Sequence, residues 1–505
     1  MMDVASLDGS QGFDAAEASA LLVSAAEHPI VPGFHPDPTI CRAGGDYYLA
    51  HSTFEYSPGV PLWRSSDLVT WSLVGHALDG DPHLVAGEAA AGGGVYAPTL
   101  RHYNGRFWMI TTNVSGEPGQ LISSAPSIEG PWGPSILLPG LLGIDPDLAW
   151  DDEGVCYLTF CSNMASAPGI AQVRVDLESG RVLDEPRTLT RGSGLAYPEA
   201  PHVFRHGEYW YLLYAEGGTE RGHSVGIARS SSPDGPYELH PQTPIFSRRS
   251  TVFPVQNVGH ADMVEMFDGS WAMVYLGVRP RGATPMFHVN GRETFLAGID
   301  WVDGWPVVVP DRFRFATPRT AFADTFDGPL DARWISPGIA PAEIARPTAD
   351  GVQIVSVDSP NGAPSMLAVR ASDPHWRFTA VTEVSDSAAV RVRMDERHWA
   401  EVVLVNRRAE ARIRVGALSQ TVADDQQLAN GSRRLIIESQ PATTGGPDDL
   451  VLAIQDDDGK RELARLDGRY LSTEVAGGFV GRTVGLRAVA DEVLFSRAEY
   501  TPVSR

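Results

Sequence analysis

Lysine is almost missing from this 505-residue chain: Lys460 stands alone among 40 basic residues. We read that as a coding bias of the source, not as function. Cysteine is nearly as scarce. Cys41, Cys156 and Cys161 all fall in the first third, in apolar, strand-like stretches. Three are too few for a disulfide framework, and they lack the close spacing and histidines of a zinc site, so buried free thiols are expected. No apolar run approaches the roughly 18–20 residues that span a bilayer. Positive charge is in deficit, with 63 acidic residues and a net charge of −23. That argues against a nucleic-acid partner, which wants a basic face, and against anionic membranes or polyanionic substrates. A neutral small molecule stays open. Residues 1–27 hold no Lys or Arg, and Leu21–Val23 is too short for a leader's apolar core, so no signal peptide and a cytoplasmic location are expected.

What is present is globular: 43% hydrophobic and 20% charged residues, enough for a sizeable core and more than one domain. One unit recurs five times at intervals of about 50–60 residues, a turn followed by an aromatic-rich strand. It reads GDYYLA (Gly45–Ala50), GRFWMIT (Gly105–Thr111), GVCYLTF (Gly154–Phe160), GEYWYLLY (Gly207–Tyr214) and GSWAMVYLG (Gly269–Gly277). Strand–turn–strand stretches lie between the copies, and helical periodicity is nearly absent. About four strands per copy predict a five-bladed β-propeller. After residues 313–321 the pattern changes to short alternating strands such as AVRVRMD, AEVVLVN and RRLIIES, which predict a β-sandwich. The expected organisation is an N-terminal extension at 1–27, a propeller at 28–315 and a sandwich at 316–505.

The repeat also locates a site. Before each aromatic strand stands a short polar or proline-containing phrase: HPDP (His35–Pro38), YAP (Tyr96–Pro98), IDPD (Ile144–Asp147), YPEAPH (Tyr197–His202) and GHAD (Gly259–Asp262). Equivalent points of successive blades surround one axis. Asp37, Asp145, Glu199 and His260 are therefore expected to converge at one end of the central channel. A lone Asp-Pro commonly initiates a turn, but three carboxylates at one point of three repeats argue for acid–base chemistry. Hydrolysis of a glycosidic bond needs one carboxylic acid to protonate the leaving oxygen and one carboxylate to activate water or attack.

The phrases GFHPDP (Gly33–Pro38), STFEYSPGVPLW (Ser52–Trp63), GIDPDLAWDDEG (Gly143–Gly154), PEAPH (Pro198–His202), GHADMV (Gly259–Val264) and GRETFLAGIDWVDGWPVV (Gly291–Val308) together resemble glycoside hydrolase family 43. The C-terminal region, with AGGFVGRTVGLRA at Ala476–Ala488, resembles the concanavalin- or lectin-like sandwich of that family's β-xylosidases. The resemblance implies an inverting mechanism: Asp37 as general base, Glu199 as general acid, Asp145 as the group that tunes and orients Glu199. It implies sugar contacts from Arg292, Phe54 and Tyr96, and a cap over the pocket from Phe479. For His260 it implies a place near the axis, beside the sugar site, where a hydrated calcium or other structural cation can sit; a satisfied core histidine is the alternative. No cofactor is required. His35, Tyr96 and Asn290 stand where related chains often carry Asn, Trp and Leu, which leaves the sugar preference open. Core packing is the alternative for Phe34, Phe54 and Tyr96. The expected activity is release of terminal xylose from β-1,4-xylo-oligosaccharides. The competing readings are an α-L-arabinofuranosidase or a bifunctional enzyme, a sugar-binding protein without catalysis, and a retaining fructosidase, whose WMNDPNG-like start is missing. Related two-domain enzymes often associate, so a homo-oligomer is expected.

Overall fold

The computed structural model describes residues 22–84, 89–358, 364–382, 387–423, 427–428 and 431–503. Of the N-terminal extension expected at 1–27, residues 1–21 lie outside the described residues. Among the described residues, α-helix is confined to Pro341–Ile344 and Thr473–Ala476; the rest of the regular structure is almost entirely β.

Five antiparallel sheets follow one another along the first three-fifths of the chain. Each is a meander that starts from one of the polar phrases. The starting strands are Thr39–Ala43, Thr99–Tyr103, Gly143–Trp150, Glu199–His206 and Gln256–Glu265. They touch one another in cyclic order, the last returning to the first, which is how a propeller closes around its axis. The aromatic-rich repeat forms the second strand of every sheet. Trp271–Val278 is buried throughout, and Tyr209–Glu216 in all but its first residue. Burial on both faces explains why these strands read as continuous apolar runs rather than alternating ones. A two-residue pairing of Val23–Ser24 with Arg314–Phe315 ties the two ends of this region together. Cys41 and Cys156 are buried as expected, whereas Cys161 is partly exposed.

Arg101, on the starting strand of the second sheet, fills the axis. Its Nη1 donates to Asp262 at 2.7 Å and to Thr39 at 3.2 Å; its Nη2 donates to Asp147 at 2.7 Å and to His202 Nδ1 at 3.0 Å. One side chain thus bonds residues of all the other four sheets. Asp147 and Asp262 have essentially no exposed side-chain surface. Buried carboxylates need a paired cation to remain charged, and Arg101 supplies it.

The C-terminal region packs two six-stranded antiparallel sheets face to face. Their inner faces alternate as a sandwich requires, and Val390, Val392, Leu435, Ile437, Leu452, Leu486 and Phe495 form part of one shared apolar core. A buried pair, Arg482 with Asp448 at 2.5 Å, crosses this domain near its contact with the propeller. The domains are joined by hydrogen bonds. Ser336–Pro337 pairs with Tyr56–Ser57, Arg393 donates to the Tyr56 hydroxyl at 2.6 Å, and the Asn290 amide donates to the Ala371 carbonyl at 2.9 Å. Asn290 is therefore bonded to the sandwich rather than lining the sugar pocket. Gly291 beside it has φ +76°, and a Cβ there would lie 2.6 Å from the Phe34 Cβ and 2.8 Å from the Gly481 nitrogen. Only glycine allows that approach of the two domains.

Replacing Arg101 by Met would strand two buried carboxylates. We expect a loss of about 3–5 kcal/mol, the cost of breaking a buried pair, read as a lowered first transition in thermal or denaturant unfolding. An unchanged transition would show that the axial network does not hold the ring.

Candidate active site

The starting strands do not run straight into the axis. In the third, fourth and fifth sheets the pairing slips at Ile144/Asp147, Glu199/His202 and Gly259/Asp262. Within or beside these slips the backbone turns left-handed: Asp145 has φ 56°, Ala200 φ 51° and His260 φ 45°, and Asp37, just before its strand, has φ 56°. Bulges of this kind re-aim a side chain beside an active site. They also set two layers. Asp37, Asp145, Ala200 and His260 occupy one layer; Thr39, Asp147, His202 and Asp262, two residues on, form the axial layer around Arg101.

The structural equivalence expected for Glu199 is off by one residue. Ala200, not Glu199, matches Asp37, Asp145 and His260. The reason is visible in the geometry: the Ala200 N–H donates to Asp145 Oδ2 at 3.1 Å, and Glu199 enters from the preceding position. Convergence nevertheless occurs. Asp37, Asp145, Glu199, His260, Arg292, Phe54 and Tyr96 from the propeller and Phe479 from the sandwich line one cavity of about 70 Å³. Phe34 does not; it is fully buried behind the pocket, 5.2 Å from the Tyr56 ring.

Asp37 is the best-held carboxylate. Arg292 Nη1 lies 2.8 Å from its Oδ1, Ser52 donates to its Oδ2 at 2.5 Å, and His260 Nδ1 stands 3.4 Å away. Burial works to raise this carboxyl, but Arg292, His260 and Ser52 outweigh it and hold it below the usual aspartate value. Glu199 is the reverse case. Its side chain is 20% exposed, yet desolvation and then the Asp37 charge push it up to about 7. Asp145 is pushed up too, by burial first and then by Glu199 and Asp37, with the Ala200 N–H opposing.

Asp145 and Glu199 titrate as a pair that retains a proton into the neutral range. The Ala200 N–H favours charge on Asp145. The neighbour of Glu199 is His223, which burial lowers to about 4 and so keeps neutral. His223 Nδ1 sits 3.0 Å from the Asn257 carbonyl, so its other nitrogen carries the lone pair and faces Glu199 Oε1 at 3.8 Å, beyond hydrogen-bond distance. We therefore assign the shared proton to Glu199. Arg292 Nη1 also donates to the Thr219 hydroxyl at 3.2 Å; Thr219 and His223 carried no sequence signal, since each lies in a loop that only the fold brings beside the pocket.

The aromatic wall joins both domains. Phe54 and Phe479 stack with centroids 5.6 Å apart, Tyr96 meets Phe479 edge-on at 5.9 Å, and the Arg292 guanidinium lies 5.5 and 5.3 Å from the Phe54 and Phe479 rings. Phe54 is almost fully buried, so it packs as well as lines. For a directly ligated calcium the residues do not fit. Arg101 already occupies the space between Asp147 and Asp262, and His260, lowered to about 3 mainly by burial, pairs with Asp37. Among the described residues no group of three His, Cys, Asp or Glu is placed to hold an ion.

Comparison with known proteins decides the family. The family model "Glycosyl hydrolases family 43" matches residues 26–306, and "Beta xylosidase C-terminal Concanavalin A-like domain" matches residues 352–500. The chain belongs to glycoside hydrolase family 43. It is 32% identical to a xylosidase/arabinosidase of Butyrivibrio fibrisolvens over 92% of this chain and 95% of that one. A non-reducing end alpha-L-arabinofuranosidase of Bacteroides ovatus is 41% identical over 56% of this chain and 53% of its own. Among solved structures, the Bacteroides ovatus xyloglucan-locus family 43 protein superposes with a TM-score of 0.84 at 31% identity, covering 94% of this chain and 99% of that one. The protein is thus a glycosidase of this family, a propeller followed by a concanavalin-like domain.

If Asp37 raises the Glu199 carboxyl, removing that charge lowers it. In ¹³C-carboxyl NMR we expect the Glu199 titration near pH 7 to move to lower pH in Asp37→Asn. An unshifted midpoint would deny the coupling.

Proposed function

We propose that this family 43 enzyme is an exo-acting, inverting glycosidase that releases terminal xylose from β-1,4-xylo-oligosaccharides. The observation that carries the exo reading is the aromatic wall of Phe54, Tyr96 and Phe479, in which the sandwich closes one side of the pocket that holds Asp37, Asp145 and Glu199. In this reading Asp37, kept ionised by Arg292, takes a proton from a water that attacks the anomeric carbon. Glu199, kept protonated by burial and its acidic neighbours, gives its proton to the leaving oxygen on the opposite side of the bond. Asp145 keeps that proton on Glu199 by its own charge. Arg292 offsets the negative charge of the pocket and faces the sugar. An inverting pair stands about 6.5–9.5 Å apart to admit the water.

α-L-Arabinofuranosidase activity is the second reading. The names of the relatives carry both sugars, and the two terminal pentoses present similar hydroxyl geometry.

The test is turnover of the matched aryl β-D-xyloside and α-L-arabinofuranoside, with xylobiose beside them, by wild type and Glu199→Gln. We expect the xyloside and xylobiose to dominate. Xylobiose turnover falls by about 10²–10⁴ in the mutant, the usual contribution of general acid catalysis; the aryl substrate, with its good leaving group, loses less. Dominance of the arabinoside reverses the sugar assignment, and undiminished xylobiose turnover removes Glu199 from the acid role. Proton NMR of fresh product should show α-xylose first; β-xylose would replace inversion by retention.

The pH profile has a definite sign. Glu199 must be protonated, so kcat/KM on xylobiose falls as pH rises through about 7. Asp37 must be ionised, and because its carboxyl is lowered, the acidic limb lies below the usual aspartate value. Dialysis against a chelator should leave turnover unchanged; a loss restored by calcium would overturn the absence of a metal from the chemistry.

A further inference from the structure

A second cavity of about 480 Å³ opens between the propeller and the sandwich, and none of its lining residues belongs to the catalytic pocket. Trp63 of the first sheet, Trp71 in the loop before that sheet's last strand, Phe322 and Tyr500 of the sandwich, and the arginines Arg319 and Arg370 line it. Arg370 is 8% exposed, and its Nε and Nη2 are buried without a hydrogen-bond partner. The indole N–H of Trp63 is likewise buried and unpartnered. Among the described residues no carboxylate forms an ion pair with Arg370. Asp331, the one acidic residue of the lining, is already taken by Arg333 at 2.9 Å. The histidines near Arg370, namely His35, His51 and His76, are lowered by burial and by Arg370 itself, so they stay neutral and offer it no counter-charge.

A buried guanidinium without an anion is costly in a protein interior. In a chain of net charge −23, a cavity lined by Arg319 and Arg370, neither of them ion-paired among the described residues and Arg370 resting only over the Phe34 ring at 4.6 Å, is selective for a negative ligand. Its shape adds a second demand. An inorganic anion would satisfy Arg370 but leave the aromatic walls and most of the volume unfilled. A neutral sugar would stack on the indoles but leave the charge unmet. A sugar-sized carboxylate meets both, with a charge-assisted contact to the Arg370 guanidinium and an apolar ring face against an aromatic one.

We propose that this cavity is a non-catalytic binding site for a uronate, a monosaccharide bearing a carboxylate. Isothermal titration calorimetry of the full chain at constant ionic strength, with sodium D-glucuronate, D-glucose and sodium sulfate as probes, tests it. Glucuronate should bind saturably, at least tenfold tighter than glucose or sulfate, and should not be displaced by saturating D-xylose. Arg370→Gln should weaken it at least tenfold, with partial recovery in Arg370→Lys, and Trp63→Phe, which removes the N–H and narrows the aromatic face, several-fold. Turnover of the aryl xyloside stays unchanged in these variants. Should Arg370→Gln fail to fold, Trp63→Phe and the exposed Arg319→Gln carry the test. Absence of saturable glucuronate binding, equal binding of glucose, equal binding of sulfate, or displacement by xylose would each overturn the proposal.

Discussion

The guanidinium of Arg101 holds the molecule's axis. It sits on one sheet and bonds Thr39, Asp147, His202 and Asp262 from the other four. The rim of the ring is closed by the pairing of Val23–Ser24 with Arg314–Phe315 and by backbone bonds of Ala25, Ile30 and Val31 to Leu296 and Thr294 of the last sheet. At the centre, the axial bonds set how close the starting strands come. Because the layer of Asp37, Asp145, Ala200 and His260 lies only two residues before the axial layer, that spacing also fixes how close Asp37, Asp145 and His260 come.

The left-handed residues above Arg101 turn this closeness into a site. Each non-glycine residue held there costs roughly 1–3 kcal/mol, and the surrounding hydrogen bonds maintain it. The return is a set of carboxyls with opposed environments. Asp37 has a cation, a hydroxyl and an imidazole around it, while Glu199 has burial and negative neighbours. Environments that drive two carboxyls apart are what allow one to act as base and the other as acid at one pH.

The second domain takes part in the site. Phe479 stacks on Phe54 and lies over Arg292, so the sandwich supplies one wall of the pocket. The close approach at Gly291 and the Asn290 amide bond hold the domains at the separation this stacking needs. The same junction encloses Arg370, so one interface shapes both cavities.

The sequence by itself determined the β class, the recurrence of the aromatic strand, the change of pattern near residue 316 and the acidic phrases that begin the innermost strands. These are local: a turn, an apolar run and an Asp-Pro are written in adjacent residues. It also supported naming Asp37, Asp145, Glu199, Arg292 and Phe479 through resemblance. Only the tertiary structure decided which of them are equivalent. The same slip occurs at Ile144/Asp147 and at Glu199/His202, so the pairing makes Ala200 the equivalent of Asp145 and Glu199 the equivalent of Ile144, one residue from the place expected. The roles of Arg101, His223, Ser52 and Arg370 were unreadable for the same reason. Their meaning lies in partners 15 to 161 residues away for Ser52 and Arg101, and for Arg370 in a place over the Phe34 ring with no carboxylate paired to it among the described residues, which a sequence cannot display.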